Sequence, residues 1–387
     1  MSDDVLFEIK KENLETGLRG YPVGYCTTST VDPVKGLAYA GHPVETLIHH
    51  DPEEVIYLLW TGKMGSKEEV AQFKQDLAKR GKLHPDVVKH ILALPKEGHP
   101  MALFVNALLI CGMFESKEDY RQDCLNLIAK IPELAATVIN FRAGWGKTPT
   151  STPEIGYMEN FTQMLQVPKA DKQKLLHVFR LFNILHFDHG GGNLSTFVGK
   201  AVASGLEDMY GSIASAMCAL AGPLHGRANQ ECLEFVEKLI NELGPDVSEE
   251  ELENHLRKLL ANNELIFGFG HAVLRVEDPR ATVLYAEAER LYPDHPFVKM
   301  TKKLRSVGSK VLGENPKIAD PYPNVDAVSG TLLSAAGFPY PDYFTVLFGL
   351  ARVVGIAIQI VYERLEARGG KGTPIVRPKY IYKNRNG

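Results

Sequence analysis

The sequence has few cysteines and no large excess of one charge. Its five cysteines, an odd number among 387 residues, contain no Cys-x-x-Cys pair. This pattern favours reduced, mostly buried thiols over a disulfide framework or a zinc ribbon. The 43 basic and 47 acidic residues are mixed along the chain and give a formal net charge of −4. Without a basic block, nucleic-acid binding has no electrostatic support, and we expect no nucleic-acid partner.

The sequence also shows no segment that favours export or membrane insertion. The first residues, Met-Ser-Asp-Asp, are acidic and lack both the apolar core of a signal peptide and an Arg- and Ser-rich transit pattern. The most apolar stretch, Val346–Tyr362, is short for a membrane span and contains Arg352. We therefore expect a cytoplasmic protein without a membrane span, in which this stretch is a buried core helix.

Strand signals are scarce, whereas helical periodicity extends along most of the chain. The patterns Ser66–Glu69 and Ser248–Glu251 are typical of capping boxes at helix starts. The credible strands are short: 27–31, 37–39 and 375–382, the last with a pairing partner expected near the N-terminus. No fixed-period repeat or low-complexity segment occurs. The sequence predicts an all-α protein with antiparallel helix packing and without a parallel sheet.

Four short segments are richer in His, Asp, Arg and Gly than packing requires. Glycines beside titratable side chains allow sharp turns and close ligand approach, and helix starts favour bound anions. The segments are His186–Asn193, Gly222–Gly226, Gly268–Arg280 and Pro323–Gly330.

Each segment also has a structural explanation when it is considered alone. His225 could cap a helix, and Asp326 could be an N-cap residue. The Gly268–Gly270 pair could begin a dinucleotide fingerprint, although it lacks the third glycine and a preceding strand. Only the combination of segments favours a catalytic site.

Isolated arginines accompany these segments in apolar or turn surroundings, at Arg280, Arg352 and Arg377. The planar guanidinium group suits carboxylates, which it can bind with two parallel hydrogen bonds. An acid–base cluster beside several such arginines indicates chemistry on a small di- or tricarboxylate.

In this order, the segments resemble the signature stretches of the citrate synthase family, and the resemblance covers essentially the whole chain. Shorter matches lie in Asp32–Gly36, in Tyr343–Arg352 and at Arg377. The resemblance is carried mainly by Gly222-Pro-Leu-His225-Gly226, by Gly268-Phe-Gly270-His271 with Asp278-Pro279-Arg280, and by Pro323-Asn324-Val-Asp326.

The resemblance implies the all-α citrate synthase fold, in which a smaller helical domain closes over the active site of a larger one. Residues 1–225 and 335–387 would form the large domain, and residues 226–334 the small domain. The short N-terminus resembles the dimeric branch of the family. We therefore expect a homodimer in which Arg377 reaches across the interface into the site of the partner subunit.

The resemblance also implies an acyltransferase that condenses acetyl-CoA with oxaloacetate and water to give citrate and CoA. Asp326 would remove the methyl proton, while His225 and His271 would donate hydrogen bonds to the reacting oxygens. No metal or resident cofactor is expected. The residues expected to bind oxaloacetate are His189, Arg280, Arg352, Arg377 and Asn193. Those expected to bind CoA are Leu265, Ile266, Phe267, Gly268, Phe269, Gly270 and Arg275.

The sequence departs from the family pattern at three places. Gly190 replaces an expected Glu, Val328 replaces a common His, and the stretch Leu37–Gly41 lacks an expected Arg. Because Gly190 adjoins His189, this departure bears on substrate affinity.

Three alternatives remain open at this stage. A 2-methylcitrate synthase would use propionyl-CoA with the same residues, since one methylene changes pocket fit by only about 1–3 kcal/mol. A non-catalytic homologue would bind a tricarboxylate. A metal-dependent hydrolase could be built on His186, Asp188 and His189, which offer three ligands within four residues.

Overall fold

A computed structural model of the chain describes residues 5–385 and is mostly helical. Three short strands precede the helices. They are β1 (Ser29–Asp32), β2 (Gly36–Tyr39) and β3 (His42–Pro43). The helices are α1 (Pro52–Thr61), α2 (Lys67–Arg80), α3 (Pro85–Ile91), α4 (Pro100–Glu115), α5 (Tyr120–Ala143), α6 (Tyr157–Met164), α7 (Lys172–His186), α8 (Leu194–Ala203), α9 (Met209–Leu220), α10 (Ala228–Leu243), α11 (Glu249–Ala261), α12 (Pro279–Leu291), α13 (Pro296–Gly313), α14 (Asp326–Ala335), α15 (Phe344–Val361) and α16 (Ala367–Gly370). Short 3₁₀ turns lie at Lys11–Asn13, Val44–Thr46 and Pro341–Tyr343, and a π turn at Tyr362–Glu366.

The predicted capping boxes are present at the starts of two helices. Ser66 accepts a hydrogen bond from the backbone N–H of Glu69, whose side chain accepts the N–H of Ser66 in return. Ser248 and Glu251 make the same reciprocal pair before α11. These contacts satisfy N–H groups that a helix cannot satisfy internally, so both predicted helix starts are confirmed.

Helix α15 runs through the centre of the main core, and every one of its residues is buried. It packs against α5, α7, α8 and α9. Two helical stretches, Tyr120–Ala143 and Pro341–Gly370, are long and apolar enough to cross a membrane, but 83% and 100% of their apolar windows are buried inside the protein. This burial is typical of core helices, and it confirms the prediction for Val346–Tyr362.

A second, smaller core lies among α10, α11 and α13. Its buried members run from Phe235 to Leu312. They fall within the predicted small domain, although apolar residues of α12 and α14 belong to the main core instead. The domain boundaries at 226 and 334 therefore stay a prediction.

The three strands form one antiparallel sheet in the order β1-β2-β3. Ser29 pairs with Tyr39 and Asp32 with Gly36, so β1 and β2 make a tight hairpin. The predicted strands near 27–31 and 37–39 are confirmed within two residues. The prediction of a strand at 375–382 is wrong. This segment is exposed and pairs with no other strand among residues 5–385.

The cysteines match their sequence-based prediction. All five are free, three of them are buried, Cys26 is partly buried and Cys218 is exposed. Within residues 5–385, the fold therefore does not depend on disulfides.

Candidate active site

His225 lies on the turn before α10 and is anchored by the start of α8. Its Nε2 accepts a hydrogen bond from the backbone N–H of Ser195 at 3.2 Å and lies 2.9 Å from the Ser195 hydroxyl. A backbone N–H can only donate, so the proton of the neutral ring is on Nδ1. Burial, with a smaller effect of Arg352, lowers the pKa of His225 to about 4. At neutral pH the ring is therefore uncharged and offers one N–H donor.

His271 has the opposite tautomer. Its Nδ1 accepts the backbone N–H groups of Val273 at 3.0 Å and Leu274 at 2.9 Å, so the proton is on Nε2. Burial and then Arg280 lower the pKa of His271 to about 4. The ring lies 5.2 Å from that of His189, centroid to centroid. Two histidines from segments 82 positions apart are therefore in contact, and both sequence-predicted segments meet in one site.

Asn324 fastens the His271 loop to Asp326. Its amide donates to the carbonyl of Gly270 at 3.0 Å, and its side-chain oxygen accepts the N–H of Asp326 at 3.0 Å. Gly268 has a φ of +87°, and a Cβ there would lie 2.8 Å from the Cα of Ala327. Only glycine combines this backbone conformation with so close an approach. The two loops therefore form one unit.

Asp326 is the first residue of α14, and its Oδ1 is buried without a hydrogen-bond partner. Burial raises the pKa of this carboxyl to about 7, against the opposing effects of Arg280 and Arg352. Desolvation therefore outweighs both arginines and the helix N-terminus. The group is a much stronger base than an exposed carboxylate, and it titrates in the physiological range.

Two buried arginines give the site its positive charge. Arg280 is 3% exposed, and its side chain donates to both carboxylate oxygens of Asp278, from Nε at 3.1 and 3.2 Å and from Nη2 at 2.7 Å. Arg352 is 2% exposed, donates from Nε to the carbonyl of His186 at 3.0 Å and lies over the Phe348 ring. Burial and the charge of Arg280 lower the pKa of Arg352 to about 10. A bound anion would relieve this repulsion.

His189 follows a buried aspartate that holds its backbone. Asp188 is 0% exposed and accepts the N–H of His189 at 2.9 Å. Its other donors are Thr28, Ser29 and Gln359. Burial, with Arg280 next, holds the pKa of His189 well below its ordinary value, and its buried Nε2 has no hydrogen-bond partner. That nitrogen is available to a ligand.

Both polar atoms of the Asn193 side chain are engaged in local hydrogen bonds. Its Oδ1 caps α8 by accepting the N–H of Thr196 at 3.3 Å. Its Nδ2 donates to the carbonyls of His189 at 3.2 Å and Gly190 at 3.0 Å. The geometry therefore gives Asn193 a clear part in shaping the His189 loop, while its predicted contact with substrate stays a prediction.

The three residues that could have formed a metal site are otherwise engaged. The Nδ1 of His186 donates to the carbonyl of Phe182 at 2.7 Å, and Asp188 is surrounded by hydrogen-bond donors. Among residues 5–385, no group of three or more His, Cys, Asp and Glu side chains could hold a metal ion. The geometry gives the metal-dependent hydrolase hypothesis no support.

The segment predicted to bind CoA borders this cluster. Leu265 is 68% exposed at its start, while Gly268 is buried. The exposed Arg275 folds back on the loop and donates from Nη1 to the carbonyls of His271 at 3.3 Å and Val273 at 3.1 Å. Its guanidinium group is thus held at the surface beside the site.

Arg377 is separate from the other predicted site residues within one chain. It is exposed on the C-terminal segment, and no hydrogen bond or ion pair joins it to the described residues. Its role across an interface stays a prediction.

Sequence reasoning missed Ser195, Asn324 and Asp278 as site residues. Asn324 and Asp278 stand inside the quoted motifs, two residues before Asp326 and Arg280, so the motif could have identified them. Ser195 contacts His225 from 30 positions away, and no local pattern predicts that contact.

Two of the three departures from the family pattern, Gly190 and Val328, fit their local structure. Gly190 has a φ of +72°, a conformation that favours glycine, and its N–H donates to Ser29 at 2.7 Å. Val328 is fully buried in the core.

Comparisons with known proteins agree on one family. Residues 17–379 match the family model described as citrate synthase, C-terminal domain. The chain is 36% identical to citrate synthase 4, mitochondrial, of Arabidopsis thaliana, over 94% of this chain and 80% of that protein. It is 34% identical to the mitochondrial citrate synthase of Saccharomyces cerevisiae, over 97% of this chain and 82% of that protein.

Solved structures show the same likeness. Citrate synthase from Thermotoga maritima superposes with a TM-score of 0.81 at 28% identity and covers 97% of both chains. A ternary complex of carboxymethyl coenzyme A and oxaloacetate with citrate synthase from Thermoplasma acidophilum superposes with a TM-score of 0.82 at 27% identity, over 95% of both chains.

Proposed function

This chain belongs to the citrate synthase family, and from that premise we propose that it condenses acetyl-CoA with oxaloacetate and hydrolyses the resulting citryl thioester to citrate and CoA. The protein would thus be an acyltransferase that converts the acyl group to an alkyl group as it transfers it. The observation that carries the proposal is the unpaired Asp326 carboxyl, with a pKa of about 7, beside two buried arginines and neutral histidines. That set offers one base, several neutral donors and a dianion site.

Oxaloacetate is proposed to bind through its two carboxylates. The contact of Arg352 to His186 uses only Nε, so its terminal N–H groups can bind a carboxylate. The Nε2 of His189, which has no hydrogen-bond partner, lies nearby. Arg280 contributes its charge although Asp278 shares its guanidinium group. A dianion would balance the two buried positive charges, and charge-assisted hydrogen bonds would fix its orientation.

Enolate formation is proposed to use Asp326 and His225 together. The acetyl methyl group is a very weak acid, so a carboxylate can remove its proton only if the enolate oxygen is stabilised as it forms. The Nδ1–H of the neutral His225 is free to donate to the thioester oxygen. The proton passes to Asp326, the C–H electron pair forms the carbon–carbon double bond of the enolate, and the carbonyl π pair moves onto the thioester oxygen.

The carbon–carbon bond is proposed to form against a keto group polarised by His271. The Nε2–H of this ring donates to the keto oxygen and stabilises the alkoxide that develops when the enolate carbon attacks. Water then cleaves the citryl thioester. The segment Leu265–Gly270 would hold the adenine through its backbone, and Arg275 would contact a CoA phosphate.

Closure of residues 226–334 over the site is part of the proposal. Exclusion of water before condensation prevents hydrolysis of the free thioester. Because His271 and Asp326 belong to the predicted small domain and His189 and Arg352 to the large one, residues of both predicted domains line the site that closure would seal from water.

The proposal is tested by CoA release with acetyl-CoA and with propionyl-CoA, each with and without oxaloacetate. We expect faster oxaloacetate-dependent release from acetyl-CoA. A preference for propionyl-CoA would assign 2-methylcitrate synthesis with the mechanism unchanged. Absence of release from either thioester would contradict catalysis and leave a tricarboxylate-binding homologue.

The pH profile of kcat/KM should report Asp326. The base must be ionised, and its pKa is about 7, so activity should rise as pH increases through 7 and then level off. His225 and His271, each with a pKa of about 4, titrate well below this range. A profile that is flat between pH 5 and 9 would contradict Asp326 as the base.

Arg377→Ala should raise the KM for oxaloacetate by about tenfold or more, because one charge-assisted contact to a carboxylate is lost. Lys379→Ala removes an exposed cation from the same segment and should leave KM unchanged. The measurement is steady-state kinetics with both variants at saturating acetyl-CoA.

Mixed dimers test whether Arg377 acts across the interface of the proposed homodimer. A dimer of one Arg377→Ala subunit and one Asp326→Asn subunit retains one complete site only if Arg377 serves the partner subunit. At an oxaloacetate concentration well below the raised KM, we expect such mixtures to be more active than either variant alone. If they are not, Arg377 acts within its own chain.

The cytoplasmic location expected from the N-terminus stays a prediction. Several curated relatives are named as mitochondrial and one as peroxisomal. Fractionation of the source cells would decide it.

A further inference from the structure

The hydroxyl of Ser29, at the start of β1, contacts both residues that flank His189. It donates to Oδ2 of Asp188 at 2.7 Å and accepts the backbone N–H of Gly190 at 2.7 Å. Thr28 donates to the same carboxylate oxygen. Since Asp188 in turn accepts the N–H of His189, Ser29 holds the His189 backbone on both sides.

The other end of the same hairpin contacts a different segment of the site. The carbonyl of Pro33 accepts the backbone N–H of Arg275 at 2.8 Å. Gly36 has a φ of +84°, and a Cβ there would lie 2.4 Å from Cγ of Pro279. Pro279 is the first residue of α12 and directly precedes Arg280. The turn therefore lies against the segment that carries His271, Arg275 and Arg280.

Hydrogen bonds from the backbone to the Asp32 side chain fix the shape of the turn between β1 and β2. The Oδ1 of Asp32 accepts the N–H groups of Val34 at 2.9 Å and Lys35 at 2.8 Å. Leu37 and Tyr39 are 1% and 0% exposed and fasten β2 to the main core. These buried side chains, including the Tyr39 hydroxyl that donates to the carbonyl of Ile184 at 3.0 Å, anchor the hairpin. The two hydrogen bonds of Ser29 therefore act mainly on the His189 loop.

We propose that the β1–β2 hairpin, residues 29–39, is a positioning element that sets the His189 loop and the 271–280 segment relative to each other. Ser29 is the positioning residue for the oxaloacetate side of the site. Gly36 permits the close approach of Pro279 and so seats the segment that carries both Arg275, proposed to contact CoA, and Arg280, proposed to bind oxaloacetate. The inference rests on the proposed function, because that function assigns the His189 loop to oxaloacetate and the 275–280 segment to both substrates.

Ser29→Ala should raise the KM for oxaloacetate by about tenfold, since two buried hydrogen bonds beside His189 are lost. The KM for acetyl-CoA should stay within about twofold, because the 275–280 contacts are intact. Thr30→Ala removes an exposed hydroxyl from the same strand and serves as the matched control. Ser29→Thr keeps the hydroxyl and should recover most of the oxaloacetate affinity.

Gly36→Ala should instead raise the KM for both substrates by about tenfold, because the added Cβ displaces Pro279 and with it the segment that carries Arg275 and Arg280. Gly41→Ala is the matched control, since Gly41 has a similar φ of +86° but nothing within 4 Å of its Cβ position. Both variants carry the same backbone strain, so only the steric contact differs. Adding Pro279→Ala to Gly36→Ala should restore part of the lost affinity.

The closing experiment combines these kinetics with amide hydrogen exchange at His189 and Gly190, which does not depend on turnover. In Ser29→Ala both amides should exchange faster than in Thr30→Ala, with thermal unfolding temperatures alike. Equal exchange rates and equal KM values for oxaloacetate in the two variants would overturn the hairpin proposal. If the unchanged protein were still active, the proposed function would stand. If the unchanged protein released no CoA, the proposed function would fail, and the exchange rates alone would decide whether Ser29 positions the loop.

Discussion

Asp326→Asn should lower kcat by about a thousandfold, because removal of a positioned base costs 10²–10⁴-fold in typical enzymes. Asn has nearly the same shape as Asp but cannot take the methyl proton. The KM values should change little, since the arginines proposed to bind oxaloacetate and the segment proposed to bind CoA are untouched. The measurement is steady-state CoA release at saturating concentrations of both substrates.

A stability measurement distinguishes loss of the base from loss of the fold. The folded-state pKa of Asp326, about 7, lies above that of an exposed carboxyl. Its contribution to stability is therefore fully present below the unfolded pKa and is lost as pH rises through 7. At pH 8 the Asn variant should unfold at a higher temperature than the unchanged protein. An inactive variant that is less stable at pH 8 would contradict this account.

His271→Asn should lower kcat by about a hundredfold or more, the usual cost of one donor to a developing oxyanion. The Asn side-chain oxygen lies close to the position of Nδ1, so it can still accept the N–H groups of Val273 and Leu274. It cannot replace the Nε2–H that is proposed to polarise the keto group. The loss should therefore lie in kcat rather than in loop structure.

His271→Gln provides the complementary variant, because its amide lies close to the position of Nε2. We expect it to retain more activity than His271→Asn. His49→Ala removes an exposed histidine and should change nothing. If the Asn variant were the more active of the two, the Nε2 assignment would be wrong.

The fold could be predicted where helices carry a polar face and a start signal. Helices α2 and α11 have both, and their capping boxes mark the first residue. The sequence does not predict α4, because Pro100–Glu115 is apolar on most sides and shows no 3.6-residue alternation. The segment 375–382 has the composition of a strand, but composition does not supply a partner strand.

The candidate site could be predicted as far as local motifs extend. His225, His271 and Asp326 lie beside glycines or helix starts, and such positions can be recognised from the sequence alone. Their protonation could not be predicted, since the tautomer of His225 depends on Ser195 and that of His271 on two backbone N–H groups. Likewise, the pKa of Asp326 depends on burial by elements distant in the chain.

The most direct test of the central claim is to follow acetyl-CoA deuterated at all three methyl positions. With oxaloacetate present, the account predicts citrate that retains two deuterons, because one is removed by Asp326 and lost to solvent. Mass spectrometry of the product decides this, with Asp326→Asn as the inactive comparison. Release of CoA together with acetate that keeps all three deuterons would show simple thioester hydrolysis and would contradict the account.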